Sequence, residues 1–257
     1  MRIMFLNHTF KRPGDDKREA RVLALLQGYA SSGTTIEIHY PEDLGGGGVL
    51  RHLEQRRVLS GLHHILETPA LVKKIVEAEG SGFDAVVQSN TFDPGVEAAR
   101  LAVRIPVVGL LRSSCHFAAC LCDRFGFIVP LQSHAPYVFR LMEGYRMGHF
   151  VTAVKAVDVY ESDMSKQHGV ILERAVELGR EMVAGGAQAI IPLGGLLFPY
   201  EVSPEELERE VGVPVINTKA VGVRFAELMV MSKVTHSQRA YPWAGGLKPE
   251  DVSRRTL

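Results

Sequence analysis

The sequence predicts an α/β protein with two lobes, each built on a parallel, four-stranded β-sheet. Short apolar runs alternate with longer amphipathic segments through most of the 257 residues, as they do in chains of βαβ units. A chain of this length is long enough to form two compact lobes, each with its own core. In addition, features of the first half recur at a separation of roughly 104 to 108 residues, which suits duplicated lobes.

The apolar runs predict eight strands, four in each lobe. Strands that helices cover on both faces are continuously apolar, because neither face meets water. The predicted strands cover about residues 2–7, 35–40, 84–89, 105–111, 125–129, 151–157, 188–193 and 213–217.

The segments between the strands carry signals for helices. Asp93 has the side chain of an N-cap and Pro94 suits the first helical position, so a helix is predicted to begin there. The tail after Thr235 is rich in proline and glycine and is predicted to be mostly irregular. Other helices are predicted over residues 17–31, over 49–79 as two helices broken near Pro69, over 165–184 and over 219–233.

An internal repeat predicts approximate two-fold symmetry between the lobes. Residues 84–87 (DAVV) are matched by residues 188–191 (QAII), and each segment is followed by a loop of small residues. Further along, residues 105–108 (IPVV) are matched by residues 213–216 (VPVI). Equivalent strands in the two lobes therefore lead into equivalent loops.

These two loops mark the expected site. The first loop is Ser89–Thr91 and the second loop is Gly194–Leu196. Ligands of open parallel sheets bind at the carboxyl ends of the strands, so we expect the site to lie in the cleft between the lobes. We expect residues 1–111 and 218–257 to form the first lobe and residues 112–217 to form the second.

The composition disfavours several classes of partner. Basic and acidic residues number 29 each, and a net charge of zero does not favour nucleic acid or an anionic membrane. The apolar stretch at residues 1–7 is too short for a signal peptide, and no apolar run reaches the roughly 20 residues of a membrane-spanning helix. Three cysteines, all within residues 115–122, do not suggest a disulfide framework, so we expect a cytoplasmic protein.

Two segments carry motifs of a known family. Residues 86–91 (VVQSNT) and residues 191–199 (IPLGGLLFP) resemble the two active-site segments of the aspartate/glutamate/hydantoin racemase superfamily. Residues 92–100 (FDPGVEAAR) and residues 105–109 (IPVVG) resemble segments of its hydantoin-racemase branch. The resemblance extends over about residues 1–242.

The resemblance implies two flavodoxin-like lobes, no cofactor and a mechanism that uses two thiols. In that family the thiols lie on opposite faces of an acidic Cα–H, where one removes a proton and the other delivers one. The family's cysteines stand at the positions of Ser89 and Gly195 in this chain. A serine hydroxyl is far less acidic than a thiol and glycine has no side chain, so the chain resembles a member that lacks both catalytic cysteines.

Other polar residues lie at or just beyond predicted strand ends, on the side of the two loops. Arg112 and Lys219 would suit a carboxylate or another anionic substrate, unless both are solvated surface charges. His116 could be a general base for the serine of the first loop, or a packed or capping histidine. Backbone N–H groups of the second loop could hold an oxyanion. The candidate catalytic residues are Ser89 and His116, and the candidate substrate-binding residues are Asn7, Asn90, Thr91, Arg112, Gly194, Gly195, Leu196, Thr218 and Lys219.

The cysteines and a histidine pair are predicted to be structural. Cys115, Cys120 and Cys122 are predicted to lie on one short helix, and their spacing matches no familiar metal site, so we expect burial as small apolar residues. Cys115 is expected in the first turn of that helix, where the pKa of a thiol falls. His63 and His64 have no carboxylate or cysteine beside them and are predicted to face solvent. We therefore assign no metal.

Three functions fit these residues, and the fold alone does not separate them. The first is an isomerase-type enzyme that acts at the Cα of a small carboxylate, hydantoin or amino-acid derivative. Its proton transfer would be non-thiol and one-sided, which would also serve a decarboxylase or lyase. The second is a hydrolase of a cyclic amide or imide, with Ser89 activated by His116. The third is a non-catalytic protein that binds a small, anionic ligand. The resemblance also implies a homo-oligomer.

Overall fold

Two separate parallel sheets organise the chain in the computed structural model, which describes residues 1–9, 11, 14, 16–42, 47–58, 61–159, 167–195 and 197–253. Every strand pair among these residues is parallel, and helices lie between the strands in sequence. The predicted α/β class with parallel sheets is therefore confirmed. None of the helices in the described ranges is long and apolar enough to cross a membrane.

The chain forms two compact units. The first unit comprises Met1–Gly47, His63–Leu110 and Gly222–Leu257, and the second comprises Gly48–Leu62 and Leu111–Val221. The structure thus groups residues 48–62 with the second unit, whereas the sequence placed them in the first lobe. Likewise, residues 218–221 belong to the second unit, whereas the sequence placed all of residues 218–257 in the first lobe.

The sheet of the first unit has four strands in the order β2-β1-β3-β4. These strands are β1 (Arg2–Leu6), β2 (Thr35–His39), β3 (Ala85–Gln88) and β4 (Val107–Gly109). The central strands β1 and β3 are buried almost throughout, which explains their continuous apolar runs. Their carboxyl ends define the edge of the sheet at which the first loop begins.

The sheet of the second unit has three strands in the order β6-β5-β7. They are β5 (Phe125–Val129), β6 (Val151–Ala156) and β7 (Ala189–Pro192). The fourth strand predicted at residues 213–217 is reduced to one parallel bridge, between Ile190 and Val215. Pro214 has no N–H to donate and the next helix begins at Thr218, so the segment has room for only this bridge.

The described parts of the chain contain ten α-helices, of which the first seven lie between strands and the last three follow β7. Two short 3-10 helices, Gln132–His134 and Gly148–Phe150, accompany them. The α-helices are α1 (Asp16–Tyr29), α2 (Gly47–Gln55), α3 (Leu62–Gly80), α4 (Val96–Ala102), α5 (Leu110–Ala119), α6 (Ala135–Gly144), α7 (His168–Ala184), α8 (Pro204–Val211), α9 (Thr218–Met231) and α10 (Pro249–Ser253).

The sequence predicted a helix break near Pro69, but this proline lies inside α3. The two predicted helices exist, and they are separated between Gln55 and Leu62 instead. Pro69 cannot donate to the carbonyl of Ile65, and both residues are exposed, so water can take the place of that donor. The hydroxyl of Thr68 donates to the carbonyl of His64 at 2.8 Å in the same turn.

Asp93 does not cap α4, because the helix begins three residues later, at Val96. Both Asp93 (φ 53°) and Gly95 (φ 73°) have left-handed backbone conformations, which a right-handed helix excludes. The carboxylate of Asp93 instead packs against the end of β4, where a Cβ added to Gly109 would lie 2.4 Å from its Cγ. A side chain at residue 109 would therefore displace Asp93.

The tail after Thr235 is largely irregular, as predicted, apart from the short helix α10. It is nevertheless tied to the edge strand β4 and to α4. His236 Nε2 accepts from the backbone N–H of Val107 at 2.8 Å, and Trp243 Nε1 donates to the carbonyl of Ala102 at 3.2 Å. The tail thus gives the backbone N–H of Val107 an acceptor, where an edge strand would otherwise leave that donor exposed.

Glu227 fastens α9 to the turn that precedes β2. Its carboxylate is 3% exposed and accepts from the backbone N–H of Ser31 at 2.7 Å and from the hydroxyl of Thr34 at 2.7 Å. Arg224 donates to the same carboxylate at 3.1 Å. Burial alone would raise the pKa of Glu227, but these hydrogen bonds together hold it below its ordinary value.

Glutamine at position 227 is expected to lower the free energy of unfolding by about 2 kcal/mol at pH 7, because hydrogen bonds to a charge are lost. A depressed pKa stabilises the fold above the unfolded-state pKa of 4.5, and that stabilisation is lost as the pH falls through the folded-state value. The difference between parent and Glu227→Gln should therefore shrink in acid, as measured by urea unfolding at pH 7 and at lower pH. Glu173→Gln, at an exposed position of α7, is the matched control. An equal loss of unfolding free energy at every pH would contradict the lowered pKa of Glu227.

Candidate active site

Asn7 and Ser89 meet at the carboxyl ends of two neighbouring strands. Leu6 of β1 lies in register with Gln88 of β3, so the residues that follow them are also adjacent. The backbone N–H of Ser89 donates to the carbonyl of Leu6 at 2.9 Å, and the Ser89 hydroxyl donates to Asn7 Oδ1 at 3.2 Å. The structure therefore brings these two predicted site residues together.

The contact with Asn7 orients the Ser89 hydroxyl without ionising it. Ser89 is 5% exposed, and an amide oxygen accepts a hydrogen bond but does not take up the proton. A serine nucleophile needs an adjacent base, which the hydrolase interpretation assigned to His116. His116 lies in the last turn of α5, in the second unit, and its side chain is exposed.

Asn90 organises the first loop through hydrogen bonds of its backbone and its side chain. Its backbone N–H donates to Gln88 Oε1 at 2.8 Å, and its Oδ1 accepts from the backbone N–H of Phe92 at 2.9 Å. Its Nδ2 lies 3.2 Å from His64 Nε2. Asn90 is 8% exposed and Thr91 is 1% exposed, so both predicted substrate-binding side chains are buried in the loop. The Asn90 side chain holds the backbone turn that presents Ser89.

His63 and His64 are buried, so the prediction that they face solvent is wrong. They are 4% and 3% exposed, with ring centroids 3.9 Å apart. Glu67, one helical turn after His63, is 1% exposed and is the carboxylate that the prediction for the histidine pair overlooked. His8 adds a fourth polar group, with its ring centroid 6.3 Å from that of His64. We call His8, His63, His64 and Glu67 the histidine cluster.

His63, His64 and Glu67 are buried because the start of α3 reverses the usual amphipathic pattern. Leu62, Ile65 and Leu66 are 46%, 70% and 40% exposed, whereas the polar residues between them point inward. The signal in the sequence was the spacing of His63 and Glu67, which places a histidine and a carboxylate on one helical face. Apolar periodicity alone assigned that face to solvent.

Burial keeps two members of the histidine cluster uncharged at neutral pH. Burial raises the pKa of Glu67 to about 8 and lowers the pKa of His63 to about 4. Within the described residues, Glu67 Oε2 and His63 Nδ1 have no hydrogen-bond partner. The same residues contain no group of three histidine, cysteine or acidic side chains that could hold a metal ion.

Gly194 shapes the second loop. Its φ of +96° favours glycine, and an added Cβ would lie 2.5 Å from Cγ of Pro130. Its carbonyl accepts from the backbone N–H groups of Leu197 and Phe198 at 2.9 and 3.1 Å. Gly195 is half-buried, and Leu196, a predicted substrate-binding residue, lies outside the described residues.

Lys219 and Thr218 are buried at the start of α9. They are 1% and 2% exposed, so the interpretation of Lys219 as a solvated surface charge is wrong. Lys219 Nζ lies 5.9 Å from the centroid of the Tyr200 ring. Burial lowers the pKa of Lys219 to about 7, so the amine is partly uncharged at neutral pH.

The other candidates of the second unit lie on α5. Arg112 is half-buried, and its guanidinium carbon lies 5.3 Å from the centroid of the Tyr145 ring. Cys115 is buried with its sulfur 3.7 Å from that of Met142, but it lies in the second turn of α5, not the first.

The remaining two cysteines lie beyond the end of α5, which is Ala119. Cys120 is exposed, which contradicts the predicted burial, and Cys122 is half-buried with its Sγ 3.3 Å from the carbonyl of Ala118. Burial raises the pKa of Cys122, so this thiol is less readily ionised than a solvated one. The structure places all three cysteines outside both loops.

Comparison of the sequence with known proteins identifies relatives that match about two thirds of this chain. Residues 63–226 match the family described as Asp/Glu/Hydantoin racemase. A hydantoin racemase from Pseudomonas sp. (strain NS671) is 31% identical over 180 residues, which cover 69% of this chain and 71% of that protein. A hydantoin racemase from Rhizobium meliloti is 27% identical over 174 residues, or 66% of this chain and 70% of that protein.

Solved structures show the same fold. An allantoin racemase from Klebsiella pneumoniae superposes with a TM-score of 0.78 at 20% identity, over 96% of this chain and 95% of that chain. Arylmalonate decarboxylase superposes with a TM-score of 0.60 at 14% identity, over 90% of this chain and 92% of that chain. At these identities the likeness concerns the fold alone.

Proposed function

We propose that this chain, which belongs to the Asp/Glu/hydantoin racemase family, exchanges the proton at the Cα of a small hydantoin, carboxylate or amino-acid derivative. Each of these compounds has a C–H bond next to a carbonyl group. A base that takes this proton leaves the electron pair of the C–H bond on the carbonyl oxygen as an enolate. A proton then returns to the same carbon and the carbonyl group is restored.

The observation that carries the proposal is the hydrogen bond from the buried Ser89 to the half-buried Asn7. It lies at the carboxyl edge of the first sheet, and Ser89 is within residues 63–226, which match the racemase family. The three cysteines of the chain lie at residues 115–122, so neither loop contains a thiol. We assign to the Ser89 hydroxyl, held by Asn7, the task of donating to the substrate or relaying its proton. Backbone N–H groups at Gly194 and Gly195 are our candidates for stabilising the enolate oxygen.

Serine replacement tests this function. The parent chain is expected to incorporate solvent deuterium at Cα of at least one substrate class among 5-substituted hydantoins, free amino acids and 2-substituted malonates. Ser89→Ala should lower that rate by about 100-fold or more, which is typical of losing a proton-transfer group. Incorporation is followed by proton NMR in D₂O, and the optical rotation of the hydantoin and amino-acid samples reports configuration.

The controls separate enzymatic exchange from background. Hydantoins exchange slowly without catalyst, so each rate is compared with a protein-free sample. Ser32→Ala, at an exposed position of the turn after α1, is the matched serine control and should exchange at the parent rate. Deuterium entry with retained configuration supports one-sided transfer, and loss of optical rotation supports transfer from both sides. Ring opening without exchange would contradict the proposal and favour the hydrolase.

A further inference from the structure

We propose that Lys219 is an acid–base residue of this enzyme, whose amine takes the Cα proton of the substrate and returns it. This inference rests on the proposed function and adds to it the identity of a base. The amine lone pair forms an N–H bond as the C–H bond breaks, and the C–H electron pair moves to the carbonyl oxygen. The reverse transfer restores the C–H bond and the neutral amine, so no other reactant is needed.

The position of Lys219 relative to the second loop is the first argument. Val215 pairs in parallel with Ile190, so the segments that follow them leave the same edge of the sheet. Gly194 comes four residues after Ile190, and Lys219 comes four residues after Val215. The lysine and the second loop therefore both follow the carboxyl ends of adjacent parallel segments, at the edge where ligands of such sheets bind.

The burial of Lys219 is the second argument, because the location disfavours a charged amine. Asn217 caps α9 by accepting from the backbone N–H of Ala220 at 3.1 Å, which places Lys219 in the first turn. The N-terminal end of a helix carries a partial positive charge that repels a cation. Lys219 is also 1% exposed, and the ring of Tyr200 lies near its amine. A lysine without a function would be expected at the surface.

The charge state that results suits proton transfer. Burial lowers the pKa of Lys219 to about 7, whereas an ordinary lysine is almost fully protonated at that pH. An amine near this pKa can remove a proton in its neutral form and donate one in its charged form at the same pH. Tyr200 is a titratable side chain close to this amine, with its ring centroid 5.9 Å from Nζ.

Three variants test the proposal by the deuterium-exchange rate at Cα. Lys219→Met keeps the length and apolar stem but removes the amine, and kcat should fall by about 100-fold or more with KM changed little. Lys219→Arg should be as slow, because a guanidinium stays protonated. The matched control is Lys17→Met, since Lys17 is the second residue of α1 and is exposed. That control should exchange at the parent rate.

A pH profile and chemical rescue distinguish catalysis from a structural role. The parent kcat/KM should rise with an apparent pKa of about 7, and Lys219→Met should lack this rise. Lys219→Ala should regain exchange when small primary amines are added, in proportion to their concentration. Added amines would not restore exchange if the Lys219 side chain only filled space.

The outcomes separate this inference from the proposed function. Exchange by Lys219→Met at the parent rate, with no effect of added amines, overturns the role of the lysine and leaves the proposed function standing. Exchange by no form of the protein, parent included, overturns both. Thermal unfolding of each variant confirms that a lost rate does not come from a lost fold.

Discussion

Glutamine in place of Glu67 is expected to raise the free energy of unfolding at pH 8, by up to about 5 kcal/mol. Burial raises the pKa of Glu67 from 4.5 to about 8, and each unit of difference corresponds to about 1.4 kcal/mol. The folded chain therefore retains a proton that the unfolded chain releases. Glutamine keeps the shape of the protonated acid and removes its ionisation.

The direction of the pH dependence follows from this raised pKa. The contribution of Glu67 is fully present below pH 4.5 and is lost as the pH rises to about 8. His63 acts in the opposite direction, because its pKa is lowered from 6.5 to about 4 and its contribution is lost as the pH falls through that range. The difference between the parent and Glu67→Gln isolates the glutamate.

Urea unfolding at half-unit intervals from pH 4.5 to 8 measures this difference. The stability gap between Glu67→Gln and the parent should widen steadily across that range. Glu173→Gln, at an exposed site of α7, should follow the parent at every pH. A constant gap would mean that Glu67 ionises in the folded chain as easily as in the unfolded one, contrary to the burial that the structure shows.

Alanine in place of Gly194 is expected to cost about 2–6 kcal/mol of stability and to abolish exchange at Cα. The φ of +96° costs an L-residue about 1–3 kcal/mol. The added Cβ would also lie 2.5 Å from Pro130 Cγ, and overpacking of this kind costs a further 1–3 kcal/mol or so. The second loop has to move to relieve the contact with Pro130. The backbone N–H groups that we propose for the enolate oxygen would then move as well, and exchange would be lost.

Gly212→Ala separates the two costs. Gly212 follows α8 in the same unit with a φ of +74°, but an added Cβ there meets nothing within 4 Å. This variant should therefore show the backbone cost alone and keep the parent exchange rate. Urea unfolding and deuterium exchange on both variants measure the comparison. Equal stability losses would show that Pro130 gives way without cost.

The strands and the two loops could be predicted from the sequence because their signals are local. A strand covered on both faces has a continuous apolar run, and seven of the eight predicted strands are present. The eighth, at residues 213–217, fails because Pro214 and the start of α9 leave space for one bridge. The contact of Asn7 with Ser89 also follows from strand order, since both residues come directly after adjacent strands.

The buried ionisable groups could not be predicted in the same way, because burial depends on residues distant in sequence. Histidine and glutamate at the start of α3 read as a solvated face, and only the folded chain shows that His64 faces Asn90. Lys219 was identified as a cation near a strand end, but its burial depends on elements such as the segment at Tyr200. Local patterns thus located the loops, and tertiary packing determined the protonation of the residues around them.

The buried groups also make the folded chain a proton reservoir near neutrality. Composition assigns Lys219 a positive charge and Glu67 a negative one throughout this range. In the fold, Lys219 loses its proton near pH 7 and Glu67 near pH 8. Between about pH 6 and 9 these two groups therefore release two protons in the folded chain that they do not release in the unfolded one. His63 offsets at most one of them, because its pKa is lowered from 6.5 to about 4, so the net charge of the folded chain still changes more steeply than its amino-acid content indicates.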